Sequence, residues 1–185
     1  TPMTANLLME TLDEIGLPAG VVNLVHGDGA GAGGHLTSHA DVDLVSFTGG
    51  TATGAKVAEA AAPQFKKLSL ELGGKNASII FDDCNLEETV AGVVRASFLN
   101  SGQVCLCGSR ILIQSGIYDE FVTKFVDTVE SMKIGDPSDE TTELGALISA
   151  DHLEKVESYV ALAKEEGGTT LTGGRPCLPS EFEHG

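Results

Sequence analysis

Residues 43–54 read DLVSFTGGTATG. The run 43–47 is short and apolar and carries branched and aromatic residues, which favours a buried strand. A Thr-Gly-Gly step follows, and TATGAKVAEAAA continues as a helix of small residues. A strand that passes through glycines into a helix N-terminus leaves free amides at the strand's end, and those amides suit negative charge. The same design stands earlier in the chain, where VVNLV (21–25) reads as a strand and GDGAGAGG (27–34) as the glycine loop after it. Singly, such a loop is as readily a tight turn with close helix packing as a phosphate cradle. Two in tandem favour a nucleotide site, because both open at the same edge of a parallel sheet.

Working outward, helix and strand patterns alternate along the whole chain. Thr4 is placed to cap a helix with Leu7, Leu8, Leu12 and Ile15 on its buried side, stopped by Gly16 and Pro18. KLSLEL (67–72) and ASIIF (77–81) read as strands on either side of Gly73-Gly74. Asn85 followed by Glu88 is a box-like cap opening a helix from about 86 to 99. A strand at 109–114 precedes a helix at 117–132 with Phe121, Phe125 and Val129 on one stripe. A further helix at 150–166 and a strand near TTLTG (169–173) complete the pattern. Apolar strands without a polar face, alternating with helices, define an α/β fold with parallel sheet. The Gly73-Gly74 pair is the expected domain boundary, one sheet ending there and another beginning.

The length of 185 residues allows one domain or parts of two. Hydrophobic residues make up 42% and charged residues 21%, a composition able to form a core. The formal net charge of −16, spread over helix faces, argues against nucleic acid as a partner, since phosphate binding needs clustered Lys and Arg. No apolar run approaches the ~20 residues that cross a bilayer, so no membrane partner is expected. Cys84, Cys105, Cys107 and Cys177 contain no CxxC pair, and His35 and His39 have no third ligand near them in sequence. No metal site is expected. With no secretory signal in view, reduced thiols and a cytoplasmic setting are expected.

Two residues stand out chemically. Cys105, in FLNSGQVCLCGSR (98–110), follows a helix and a Gly-Gln break, which puts it on a loop. A thiol there can sit among backbone amides that also stabilise an oxyanion, although most cysteines are simply small buried hydrophobes. Cys107 fits that plainer role, and a disulfide between residues two apart is strained. Glu71, at the end of an apolar strand and before Gly-Gly, is either a solvent-facing edge residue or a carboxylate serving as base. Residue type alone favours the edge. A nucleophile and a carboxylate on two glycine-bearing elements fit covalent catalysis with water activation.

FTGGTATG, LELGGKN and FLNSGQVCLCGSR, in that order, resemble the NAD(P)-dependent aldehyde dehydrogenase superfamily, and the resemblance extends from PAGVVNLVHGDG to GALISADHLEKV. LSLELGGKN, SGQVCLCGSR and GALISADHLEKV further resemble its branch acting on 2-aminomuconic and 2-hydroxymuconic semialdehydes. The resemblance implies Cys105 as catalytic nucleophile and Glu71 as general base. It implies cofactor binding by Gly29 in the earlier loop, by Phe47, Thr48, Gly49, Gly50, Thr53 and Gly54 around the pyrophosphate, and by Leu72 and Gly73 beside the nicotinamide half. Gly50 departs from the family's common Ser, which removes a side-chain donor to phosphate. NAD is the implied cofactor, with NADP left open, and a small aldehyde is the implied substrate.

The implied reaction is attack by the Cys105 thiolate, oxidation of the thiohemiacetal to a thioester, and hydrolysis by water that Glu71 activates. Residues 1–73 would be the C-terminal part of the NAD(P)-binding domain, Rossmann-like, and 74–185 the N-terminal part of the catalytic domain. The chain would then be a central piece of a longer homodimer or homotetramer, inactive and poorly folded by itself. Two other classes compete with this reading. A catalytically silent, crystallin-like relative would keep the fold, and a thiol-redox or metal module would rest on Cys105 and Cys107 alone.

Overall fold

The computed structural model describes residues 2–177. Its organising units are two parallel strand pairs, each joined by a helix, as parallel neighbours require. β1 (Leu44–Gly49) pairs with β2 (Lys67–Leu72), from Leu44 opposite Lys67 to Gly49 opposite Leu72. The crossover is α3 (Thr51–Ala61), which buries Gly54, Val57 and Ala61. Those positions recur at three and four residues, the spacing of one helix face. A Cβ on Gly54 would stand 2.6 Å from Leu72 Cδ2, so the missing side chain is what lets α3 lie close on β2.

The second pair is β3 (Ala77–Ile80) and β4 (Arg110–Ile113), with Ala77 opposite Arg110. Between them runs α4 (Leu86–Phe98), opened by Asn85, whose side chain accepts from the Glu88 amide at 3.4 Å. Ile80 of β3, Val90, Val93 and Val94 of α4, and Phe121 of α5 (Tyr118–Glu130) form a continuous core. Phe125 stacks on Phe121 at 5.8 Å between ring centres and tilts against Phe98 at 6.1 Å. The stripe expected on this helix is therefore a packing stripe. The loop beyond it is tied by an Ile134–Leu144 bridge. There a hydrogen bond from Lys133 and bonds from Thr141 hold the Asp139 carboxyl well below the usual carboxylate range.

The remaining helices are α1 (Pro2–Glu14), the short α2 (Gly34–Ser38) and α6 (Ala150–Glu165), none with a buried residue. The chain divides into two units, Thr1–Gly73 and Gly74–Gly185, with one parallel pair in each. Among the described residues no helix is long and apolar enough to cross a membrane. No group of three or more potential metal ligands occurs among them.

Three expectations need correction. Residues 21–25 form no strand. Val21, Val22, Leu24 and Val25 are exposed, because a strand exists only as part of a ladder and no described strand pairs with them. TTLTG (169–173) likewise forms no strand. In α1, Leu7 and Leu8 are exposed, as is Ile15 just beyond its end, and Thr4 lies inside a helix that starts at Pro2, a residue suited to the first helical turn.

Exposed apolar surface is extensive. The accessible surface is 13642 Å², whereas even two separate compact units of these lengths would show about 10,000 Å². In the first unit the buried hydrophobics described are Val57 and Ala61. Burying one such side chain contributes at most roughly 1.5–3 kcal/mol, against a backbone ordering cost of about 1–2 kcal/mol per residue. The 185-residue chain by itself is therefore expected to melt broadly in calorimetry. A sharp two-state transition with an enthalpy near ~0.7 kcal/mol per residue would contradict this.

Candidate active site

The parallel register of β1 and β2 brings the carboxyl ends of both strands to one edge. Thr48 lies opposite Glu71 and Gly49 opposite Leu72, and the chain leaves that edge through Gly50 and Gly73. Phe47, Thr48, Gly49, Gly50, Thr53, Gly54, Leu72, Gly73 and Glu71 are thus gathered on one β–α–β unit. Glu71 is exposed there. The Gly50 carbonyl accepts from the amides of Thr53 and Gly54, each at 3.0 Å. No described acceptor takes the amides of Thr51 and Ala52, and no side chain caps α3.

The backbone at this edge is sterically open at two glycines. A Cβ on Gly50 or Gly73 would meet nothing within 4 Å, so close approach is open at both. Gly54 differs, since Leu72 fills the space beside it; its role here is helix packing. Gly29 begins a π-type turn (Gly29–Gly33) whose cap is Asp28, and the Asp28 carboxylate accepts from the Gly31 amide. That earlier loop therefore already holds an anionic group of its own, on the Gly31 amide.

The second unit presents the thiol. α4 ends at Phe98, and Asn100, Ser101 and Gly102 then take left-handed backbone at φ 53°, 55° and 71°. Asn and Gly tolerate that region, but for Ser it costs roughly 1–2 kcal/mol. Such strain persists only where the surroundings enforce it. The reversal leads into a turn closed by the Cys107 amide donating to the Val104 carbonyl at 3.0 Å, with Cys105 and Leu106 at its tip. Cys105 is exposed and Cys107 is 8% exposed, which agrees with a packing role for Cys107. Among the described residues no acceptor takes the amides of Cys105 or Leu106.

The segment after the turn is fastened on two sides. The Gly108 amide donates to Ala96 O at 3.1 Å, and Ser97 Oγ donates to Gly108 O at 2.9 Å, tying it to the end of α4. A side chain on Gly108 would run into the Ser78 hydroxyl and force it to turn aside, so glycine lets the loop pass β3 closely. Asn76 lies just ahead of β3. Its Nδ2 donates to Cys105 O at 2.9 Å and, at a longer 3.5 Å, to Cys107 O. Asn76 was not legible as part of the site, although it sits in the LELGGKN segment; a polar amide at a strand mouth was the available signal.

Two parallel strand–helix–strand units, the first with an open glycine edge and the second carrying a thiol on a fastened turn, define a protein of the parallel α/β class. The model of the aldehyde dehydrogenase family matches residues 1–185, and the chain belongs to that family. It is 50% identical to 2-aminomuconic semialdehyde dehydrogenase of Mus musculus over 94% of this chain and 36% of that protein. It is 46% identical to 2-hydroxymuconic semialdehyde dehydrogenase of Pseudomonas putida over 100% of this chain and 38% of that protein. Among solved structures, betaine aldehyde dehydrogenase from Staphylococcus aureus in complex with NAD+ superposes with a TM-score of 0.94 at 42% identity. That match covers 98% of this chain and 36% of the other. The α/β architecture is thus that of the aldehyde dehydrogenase fold, and the chain spans little more than a third of the length of these relatives.

Proposed function

We propose that the protein oxidises an aldehyde to a carboxylic acid with NAD, with Cys105 as the nucleophile and Glu71 as the general base. The observation that carries this reading is the exposed Cys105 thiol on a fastened turn with unpartnered amides, in a chain of this family. In its deprotonated form Cys105 attacks the aldehyde carbon, and the C=O electron pair becomes an oxyanion. The open amides of the turn are suited to hold that charge. When bound, the nicotinamide ring supplies the two-electron acceptor that converts the thiohemiacetal into a thioester. Glu71 then takes a proton from water as the water attacks the thioester carbon, and the Cys105 thiolate leaves. Division into two steps keeps each barrier lower than a single displacement would.

The cofactor residues proposed are Phe47, Thr48, Gly49, Gly50 and Thr53 toward the pyrophosphate, with Gly54 serving the same loop through helix packing, Leu72 and Gly73 toward the nicotinamide half, and Gly29 in the earlier loop. Open space at Gly50 and Gly73 and the free amides of Thr51 and Ala52 support this assignment. Residues 1–73 would belong to the NAD(P)-binding domain and 74–185 to the catalytic domain. A cytoplasmic enzyme working as a homodimer or homotetramer follows from the same reading, with the uncovered apolar side chains of α1 available to further packing.

For substrate we propose a muconic semialdehyde, supported by the identities to the two muconic semialdehyde dehydrogenases. The test is a comparison of kcat/KM in the native protein for 2-hydroxymuconic semialdehyde and betaine aldehyde, followed as NADH formation. A preference of about tenfold or more for the semialdehyde is expected, a difference of ~1.4 kcal/mol in transition-state binding. Preference for betaine aldehyde would overturn the substrate, and absence of NADH with any aldehyde would overturn the activity.

A further inference from the structure

We infer that Asn76 is a positioning residue for the nucleophile, orienting the Cys105–Leu106 peptide through its bond to the Cys105 carbonyl. The inference rests on the reading of Cys105 given above. In a four-residue turn the central peptide has two orientations, differing by a half rotation that exchanges the directions of its C=O and N–H. Here the turn is Val104–Cys107, and the central peptide is the one after Cys105. Asn76 Nδ2 takes the carbonyl of that peptide at 2.9 Å. In a trans peptide the N–H points opposite to the C=O. The Leu106 amide is therefore sent away from Asn76, to the side where no described acceptor takes it.

Asn76 is itself held. Its carbonyl accepts from the Arg110 amide at 3.1 Å, and Arg110 Nε donates to Lys75 O at 2.9 Å. The approach to β3 that carries Asn76 and the start of β4 are thus locked together close in sequence to the thiol. The second, longer bond from Nδ2 to Cys107 O draws both ends of the CLC segment to one amide group. Asn76 is exposed, so water competes for these bonds. Their contribution lies in selecting one orientation of the turn, more than in stability.

Two reagents separate positioning from plain folding. With p-nitrophenyl acetate the Cys105 thiolate attacks the ester carbon, p-nitrophenolate leaves, and an S-acetyl group remains, passing through an oxyanion. With iodoacetamide the thiolate displaces iodide from a saturated carbon, and no oxyanion forms. Peptide mass spectrometry on the native protein reads both at Cys105, with exposed Cys177 as internal reference. Asn76→Ala and Asn76→Asp, which both lack the donor, are expected to slow acetylation of Cys105 about tenfold or more, with alkylation within about twofold. Asn76→Ser keeps one donor and should recover part of the loss. Unchanged acetylation in the Ala and Asp variants, or equal changes in both reactions, would overturn the inference. Failure of the unsubstituted protein to acetylate at Cys105 would instead overturn the nucleophile assignment, and the inference with it.

Discussion

Cys105→Ser is expected to lower aldehyde oxidation in the native protein by at least about 10³-fold, because loss of the attacking group in a covalent mechanism leaves only binding and oxyanion stabilisation. A serine hydroxyl fits the same exposed turn tip, so the melting temperature should stay within a few degrees. Cys107→Ala tests the neighbouring thiol. Cys107 is 8% exposed and its carbonyl and amide, not its sulfur, take part in the hydrogen bonds that close the turn. Removing its sulfur should cost about 1 kcal/mol of stability, the usual scale for a small core truncation, and leave kcat within a few-fold. Equal loss of activity from both substitutions would favour a paired-thiol chemistry over a single nucleophile.

The second large effect is expected at Glu71. Glu71→Gln keeps the size of the side chain and its hydrogen bonding but removes the base, so hydrolysis should slow while formation of the thioester continues. Steady-state turnover is expected to fall by roughly 10²–10⁴-fold, the range for a positioned general base. A pre-steady-state burst of NADH, close to one equivalent per site, should survive in stopped flow. Full steady-state turnover in the variant would remove Glu71 from the mechanism, and loss of the burst together with turnover would place it before the thioester.

Legibility in the sequence followed how local the determining interactions are. β1, α3, β2 and α4 are readable because apolar spacing, Gly-Gly steps and the Asn85 cap act within a few residues of each other. The reading of 21–25 as a strand failed for a reason no local pattern contains: apolar VVNLV becomes a strand only if a neighbour supplies its hydrogen bonds. Spacing at three and four residues likewise identified the helix of Leu7, Leu8 and Ile15 but not which face something else would cover.

The site shows the same division. Cys105 stands out from its Ser-Gly-Gln approach, and the exposed turn it occupies agrees with that reading. Its fastening by Asn76 depends on a side chain meeting a carbonyl far along the chain, which leaves no periodic trace. The left-handed backbone at Ser101 was equally hidden, because in that triplet only Asn100 and Gly102 are of a type that favours it. The role of Gly54 as a packing residue, as opposed to an open approach like Gly50, depends on Leu72 lying beside it in the folded pair.

The proposed thioester on Cys105 is detected most directly by peptide mass spectrometry. Glu71→Gln protein would be mixed with aldehyde and NAD, quenched in acid within the burst, digested and mapped. The peptide containing Cys105 is expected to gain the acyl group of the aldehyde, only when NAD is present, and Cys105→Ser in the same background is expected to abolish the adduct. No acyl mass on that peptide during an observed burst, or an adduct on Cys107 or Cys84 instead, would contradict it.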